Sequence, residues 1–287
     1  MRSVTFDFLK LTKPTITLLV LATTFAGFLT GSRGTISLPL LIHTLVGTAF
    51  VAGGASAFNM YIERAVDALM HRTALRPLAS GRLQSGPVLV FALVISVAGF
   101  VYLFVFVNHI TSLLSAIIFA GYVFLYTPLK TRTWLCTLVG AVPGALPIVM
   151  GWTAATASIS LNAGVLFAIV FLWQLPHFYS IGWIYREDYA RAGLPMLAVI
   201  DLDGQRSGRQ AVLFISALIV ITFIPSMIGI TGLIYVTGTA LLGFIFLAYG
   251  IRFARLRNVH SARRLFVVSA LYLPVILSLL VVDSFVL

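Results

Sequence analysis

This chain is poor in acid. Of its 287 residues only 8 are Asp or Glu, against 19 Lys and Arg, and charged residues make up 9% of the sequence. A water-soluble domain carries about 25%, so the soluble globular classes are excluded. Cysteine occurs once, as Cys136, which excludes an internal disulfide and a thiolate metal cluster. Apolar–polar alternation at period two is also missing, and with it the signature of a membrane β-barrel.

What the chain has is apolar length. It is 60% hydrophobic with a mean hydropathy of +1.05, and several runs reach the roughly 18–20 residues that cross a bilayer as a helix. Nine such spans are expected: Pro14–Gly31, Ile36–Ala57, Pro87–Val107, Ser112–Thr127, Leu135–Gly151, Ala163–Trp183, Ala211–Gly229, Gly232–Ile251 and Leu265–Phe285. Gly, Pro or charged residues punctuate each junction. The basic residues test the count. Arg2, Lys10 and Lys13 precede the first span, and Arg64, Arg72, Arg76 and Arg82 follow the second. Lys130 and Arg132 follow the fourth, Arg186, Arg191, Arg206 and Arg209 the sixth, and Arg252, Arg255, Arg257, Arg263 and Arg264 the eighth. All but Arg33 of the 19 thus fall on one side. The positive-inside rule places that side, with the N-terminus, in the cytoplasm and the C-terminus outside. The net charge of +11 is therefore a topology signal rather than a nucleic-acid footprint. A short basic segment leading into repeated spans reads as an uncleaved signal-anchor. With no Arg/Ser-rich transit segment, a bacterial inner membrane is expected over an organelle. The whole chain, 1–287, reads as one all-α membrane domain.

Six of the eight acids gather on the same side, with Asp7 and Asp283 apart near the termini. Glu63 and Asp67 lie in the connection after the second span, about residues 59–86. Glu187, Asp188, Asp201 and Asp203 lie in the connection after the sixth, about 184–209. The two segments resemble each other faintly, Tyr61–Asp67 against Ile184–Ala190, as two bundles facing one cytoplasmic cavity would. Asn59, Glu63 and Asp67 are spaced i, i+4, i+8, so a continuous helix puts three oxygen donors on one face, spanning roughly 12 Å. Oxygen-only donors suit a hard cation such as Mg²⁺, which bridges to substrate phosphates. Arg72 and Arg76, one turn apart, offer guanidinium forks that match phosphate oxygens. A solvated network of mutually neutralising charges is the plainer alternative. It is disfavoured by the ordered Asn-Glu-Asp face and by a second acidic loop on the same side.

In the second cluster His177 and Asp188 stand eleven residues apart, sharing a face if the sixth helix continues, with His177 about 16 Å deeper. Pro176 can kink the helix beside it. His177 is either a packing residue or a ligand or proton donor to a bound molecule. Tyr126–Thr133, "YTPLKTRT", adds Lys130 and Arg132 to the same side, as topology anchors or as phosphate ligands. The turn-rich segment Asp201–Gly208, "DLDGQRSG", carries no assigned chemistry.

These residues resemble the UbiA superfamily of intramembrane prenyltransferases. The resemblance rests on Asn59-x3-Glu63-x3-Asp67-x2-Met70-x-Arg72-Thr73-x2-Arg76-Pro77, Tyr126-Thr127-x2-Lys130, Pro176-His177-Phe178 and Asp188-Tyr189-x2-Ala192-Gly193-x-Pro195-Met196, with Lys13-Pro14 opening the first helix. The Met-x-Arg-Thr and Ala-Gly-x-Pro-Met elements favour the haem-modifying branch. The sequence departs from the family pattern at Lys130-Thr131-Arg132-Thr133, at Leu146-Pro147, and in having Arg191 after Asp188.

The resemblance implies nine transmembrane helices around a central cavity open to lipid. It implies transfer of a farnesyl group from farnesyl diphosphate to the 2-vinyl group of haem B, with water addition, giving haem O. Asn59, Glu63, Asp67 and Asp188 would hold Mg²⁺, and Arg72, Arg76, Lys130 and Arg132 would neutralise the diphosphate. His177 would meet the haem, and Arg252, Arg255 or Arg257 its propionates. A haem A synthase or terminal-oxidase assembly factors would be partners. Two other functions fit less well: a relative prenylating an aromatic quinone precursor, and a secondary transporter. The transporter would need polar groups through the midplane and at the far gate, whereas the charges gather on one side and the external connections are almost bare.

Overall fold

Each expected span is a helix in the computed structural model, which describes residues 4–286. Arg2, counted among the inner basic residues, lies outside them. Among the described residues there is no strand, and nine helices are long and apolar enough to cross a bilayer. They run Pro14–Ser32, Leu38–Asp67, Ser85–Phe106, His109–Leu129, Cys136–Thr156, Leu161–Ile184, Gln205–Met227, Leu233–Leu256 and Val259–Val286, and are called here the first to ninth spans. The chain is an all-α, multi-pass integral membrane protein.

Several helices outrun their apolar segments. The second continues to Asp67 rather than ending near Ala57, the seventh starts at Gln205, and the ninth starts at Val259. Hydropathy marks only what lies in lipid, whereas a helix ends where its backbone groups find a cap. Asp201 caps the seventh, accepting from the backbone N–H of Ser207 at 2.7 Å and of Arg206 at 3.3 Å. Asn258 Oδ1 caps the ninth through the Ser261 N–H at 2.9 Å. Asp283, isolated in sequence, caps the eighth: its Oδ2 accepts from Gly232 N and Tyr235 N at 2.5 and 3.0 Å.

The first and fifth spans touch backbone to backbone. A Cβ at Gly27 would lie 2.0 Å from the Ile148 carbonyl oxygen, and one at Gly151 would lie 1.9 Å from that of Thr24. Small residues are what allow such approach between membrane helices. Large apolar side chains such as Val94, Val101 and Phe104 of the third span stay exposed, as a lipid-facing surface requires. The main buried core runs along the fifth to ninth spans, around Trp152, Trp173 and Tyr272. Beside it the first, second, fourth, fifth and sixth spans enclose a cavity of about 400 Å³. A short helix, Val4–Leu11, precedes the bundle. Its buried Asp7 takes Arg82 Nε at 2.9 Å and so ties the chain start to the first acidic loop.

Candidate functional site

Because the second span is helical without interruption for 30 residues, Asn59, Glu63 and Asp67 do share one face, and all three are buried. Each meets a cation. Lys13 Nζ donates to Asn59 Oδ1 at 2.5 Å, Lys130 Nζ to Glu63 Oε1 at 3.0 Å, and Arg76 Nη1 to Asp67 Oδ2 at 2.7 Å. Asn59 Nδ2 donates to Thr127 Oγ1 at 3.0 Å, which fixes the amide's orientation. Burial would lower the Lys130 ammonium, but the Glu63 carboxylate outweighs it and raises the pKa above the ordinary lysine value. Lys13 goes the other way. Burial, and then repulsion from Arg76, pull it down to about 7 against the attraction of Glu63. Its backbone is left-handed, with φ 46° and ψ 67°, a conformation costing a non-glycine residue on the order of 1–3 kcal/mol. Lys13 itself is half-buried.

One acceptor in this row is left over. Asp67 Oδ1 is buried and has no hydrogen-bond partner in the protein. A carboxylate oxygen in that state is suited to a hard cation. With the all-oxygen set of Asn59, Glu63 and Asp67, the residues present fit Mg²⁺.

The second loop departs from expectation. The sixth helix runs through Pro176 but stops at Ile184. Tyr185 breaks it with φ −109° and ψ 24°, and a separate short helix spans Arg186–Arg191. His177 and Asp188 therefore do not share a continuous face. Asp188 turns instead to the first loop, where Oδ1 accepts from His71 N at 3.3 Å and Oδ2 from Arg72 N at 3.4 Å. Arg191, which interrupts the acidic pattern in sequence, is its counter-ion at 2.7 Å. Burial opposes ionisation of Asp188, yet the hydrogen bonds from Arg191, Arg72 and His71 together hold its carboxyl below the usual range. Arg72 completes the clasp, donating to the Tyr189 hydroxyl at 2.6 Å with its guanidinium 4.7 Å from the ring centroids of both Tyr185 and Tyr189. Met70, Tyr189 and Leu194 form a small apolar core between the loops.

So the two acidic loops do meet, but through Asp188 and backbone amides rather than through a ring of carboxylates. Among the described residues no three His, Cys, Asp or Glu side chains are gathered to hold a metal. Asp188 is not brought into one set with Glu63 and Asp67. Arg132 is exposed on its loop, apart from these partners, and Arg252, Arg255 and Arg257 are exposed as well. The eighth span contributes nothing to the cavity wall.

The row of charges adjoins the 400 Å³ cavity through Thr127, the partner of Asn59 and the neighbour of Tyr126; the lining includes Tyr122, Tyr126, Trp173, His177, Phe178 and Tyr189. Tyr122 and Tyr126 stack at 5.5 Å within a π-helical stretch, Gly121–Tyr126. Such stretches are rare and are concentrated at functional sites. His177 is sandwiched between Trp173 and Phe266, with ring centroids at 5.2 and 5.0 Å. Its Nδ1 is paired with Ser269 Oγ at 2.7 Å, which leaves Nε2 for a molecule in the cavity. Sequence reasoning singled out His177 but missed Tyr122, and it quoted Thr127 and Lys13 only as motif residues, without the parts they play.

Three kinds of similarity bear on this arrangement. Residues 20–274 match the model of the UbiA prenyltransferase family. A protein of Solibacter usitatus (strain Ellin6076) named protoheme IX farnesyltransferase is 46% identical over 286 residues, covering 96% of this chain and 98% of its own. Its namesake in Salinibacter ruber (strain DSM 13855 / M31) is 40% identical over 280 residues, covering 98% and 99%. Among solved structures, one described as digeranylgeranylglyceryl phosphate synthase superposes with a TM-score of 0.83 at 16% identity, over 98% of both chains. A UbiA homologue from Archaeoglobus fulgidus bound to GPP and Mg²⁺ gives 0.68 at 14% identity, over 96% of this chain and 99% of that one. At these identities the structural matches speak for the fold.

Proposed function

Since this chain belongs to the UbiA prenyltransferase family, we propose that it transfers the farnesyl group of farnesyl diphosphate to the 2-vinyl group of haem B, with addition of water, giving haem O. The near full-length likeness to proteins named protoheme IX farnesyltransferase supports the choice of substrates. The observation that carries the chemistry is one row of buried oxygen donors, ending in the partnerless Asp67 Oδ1 and joined through Asn59 and Thr127 to the side of an aromatic cavity.

Breaking an allylic C–O bond before the new bond forms requires stabilising charge on the leaving diphosphate. Asn59, Glu63 and Asp67 would hold Mg²⁺, which supplies Lewis-acid neutralisation of that charge. Lys13, Lys130 and Arg76 now rest on those three side chains. When the diphosphate arrives, they are the cations free to turn to its oxygens, with Arg72 alongside. Asp188 acts at one remove, holding the first loop by its backbone so that Arg72 and Arg76 stay aimed at the site. The cavity, within the usual size range for ligand pockets, sequesters the farnesyl cation from solvent, and the faces of Tyr122, Tyr126 and Trp173 favour it. His177, through Nε2, would meet the haem.

The loops would face the cytoplasm and the C-terminus the periplasm, in a bacterial inner membrane. Product would pass to a haem A synthase or to oxidase assembly. Membranes containing the protein, given farnesyl diphosphate and haem, should yield haem heavier by a farnesyl group and a water in mass spectrometry. Prenylation of 4-hydroxybenzoate, with haem untouched, would overturn the acceptor assignment.

A further inference from the structure

The proposed reaction consumes one water, yet the cavity that shelters its carbocation must be dry. A second chamber adjoins that cavity. It measures about 10 Å³ and shares Thr137, Phe178 and Met196 with the larger space. A single water needs a volume of about 10–15 Å³ and two to four polar partners. Tyr179 and Ser207 line the chamber as well. Tyr179 is 3% exposed, and its hydroxyl has no hydrogen-bond partner in the protein. Buried hydroxyls without a protein partner are normally satisfied by ordered water. Ser207 Oγ donates to Asp201 Oδ2 at 2.8 Å, and Asp201 is itself buried. The chamber thus joins the otherwise unassigned Asp201–Gly208 segment to the wall of the cavity.

Resting on the haem-prenylation assignment, we infer that this chamber stores and orients the water that becomes the product hydroxyl. Tyr179 is its positioning residue, and Ser207 with Asp201 its proton outlet. The C–O bond of farnesyl diphosphate breaks with both electrons staying on the diphosphate. The vinyl π electrons form the new C–C bond at the terminal carbon, which leaves the adjacent carbon cationic. A lone pair of the stored water, entering past Thr137, closes on that carbon. The surplus proton passes to Ser207 Oγ as Ser207 releases its own to the Asp201 carboxylate. Without an oriented water the same cation loses a neighbouring proton and ends as a farnesylated alkene, lighter by one water.

The test is product partition. Full-length protein in lipid nanodiscs is given farnesyl diphosphate and haem, and the haems are resolved by mass spectrometry for wild type, Tyr179→Phe and Ser207→Ala. Both variants should lower the ratio of hydroxylated to dehydrated product, by about tenfold for the loss of one orienting hydrogen bond. An unchanged ratio in both, whatever the total turnover, overturns the chamber's role and leaves farnesyl transfer standing. If wild type forms no farnesylated haem, the functional assignment fails first, and this inference with it.

Discussion

Replacing Asp67 by Asn should separate activity from stability. Asp67 is 1% exposed, with Oδ2 paired to Arg76 and Oδ1 unpaired. An unsatisfied buried polar atom costs about 1–3 kcal/mol, and more when charged, so neutralising it relieves the resting protein. The opposing loss is the ion pair. Arg76 keeps 27% side-chain exposure, so solvent can hydrate the released guanidinium and the loss stays well below that of a fully buried pair. The two effects should cancel to within about 1 kcal/mol, a melting shift of no more than about 4 °C. Catalysis has no such compensation. A missing cation ligand at the diphosphate removes several kcal/mol of transition-state stabilisation, or about 10³-fold in kcat. The assay is haem farnesylation in nanodiscs beside a thermal melt of the same preparation. An Asp67→Asn protein that keeps full turnover with Mg²⁺ present would refute the ligand role. One that melts far lower would show the carboxylate to be a structural counter-ion.

Three other outcomes follow from the geometry. Gly151→Ala, whose Cβ would meet the Thr24 carbonyl oxygen at 1.9 Å, should cost at least about 1–3 kcal/mol by forcing two backbones apart; a melt matching wild type would contradict the packing of the first and fifth spans. Asp188→Asn should raise amide exchange at His71 and Arg72, the donors it now accepts from. Because the folded carboxyl titrates below the usual range, the clasp is at full strength above about pH 4 and is lost as pH falls through the lowered value. Protection that is unchanged in Asp188→Asn would remove the clasp. His177→Ala should shift the Soret band of haem bound to the protein, and an identical spectrum would exclude iron ligation through Nε2.

Much of this was legible in sequence, for identifiable reasons. Hydropathy and the one-sided basic residues carried the nine spans, because a bilayer imposes length and charge placement directly on the chain. The Asn59–Glu63–Asp67 face was legible because helical spacing alone decides it once the helix continues. What lay beyond reach depends on tertiary partners. Asp188 looks in sequence like a fourth ligand, but its oxygens are used by backbone amides of the other loop, which no side-chain pattern reveals. The break at Tyr185 has no Gly or Pro within two residues and is followed by two good helix formers, Arg186 and Glu187. The π-helical turn that aims Tyr122 and Tyr126 has no composition signal, and Lys13, though it opens the first helix before Pro14, gave no sign of its bond to Asn59.

The most direct test is to locate the metal. Crystals of the protein grown with Mn²⁺ and a non-hydrolysable farnesyl diphosphate analogue should give an anomalous peak within bonding distance of Asp67 Oδ1, with Lys13, Lys130 and Arg76 turned onto the diphosphate. A peak remote from the second span, with those three cations still seated on Asn59, Glu63 and Asp67, would contradict the account.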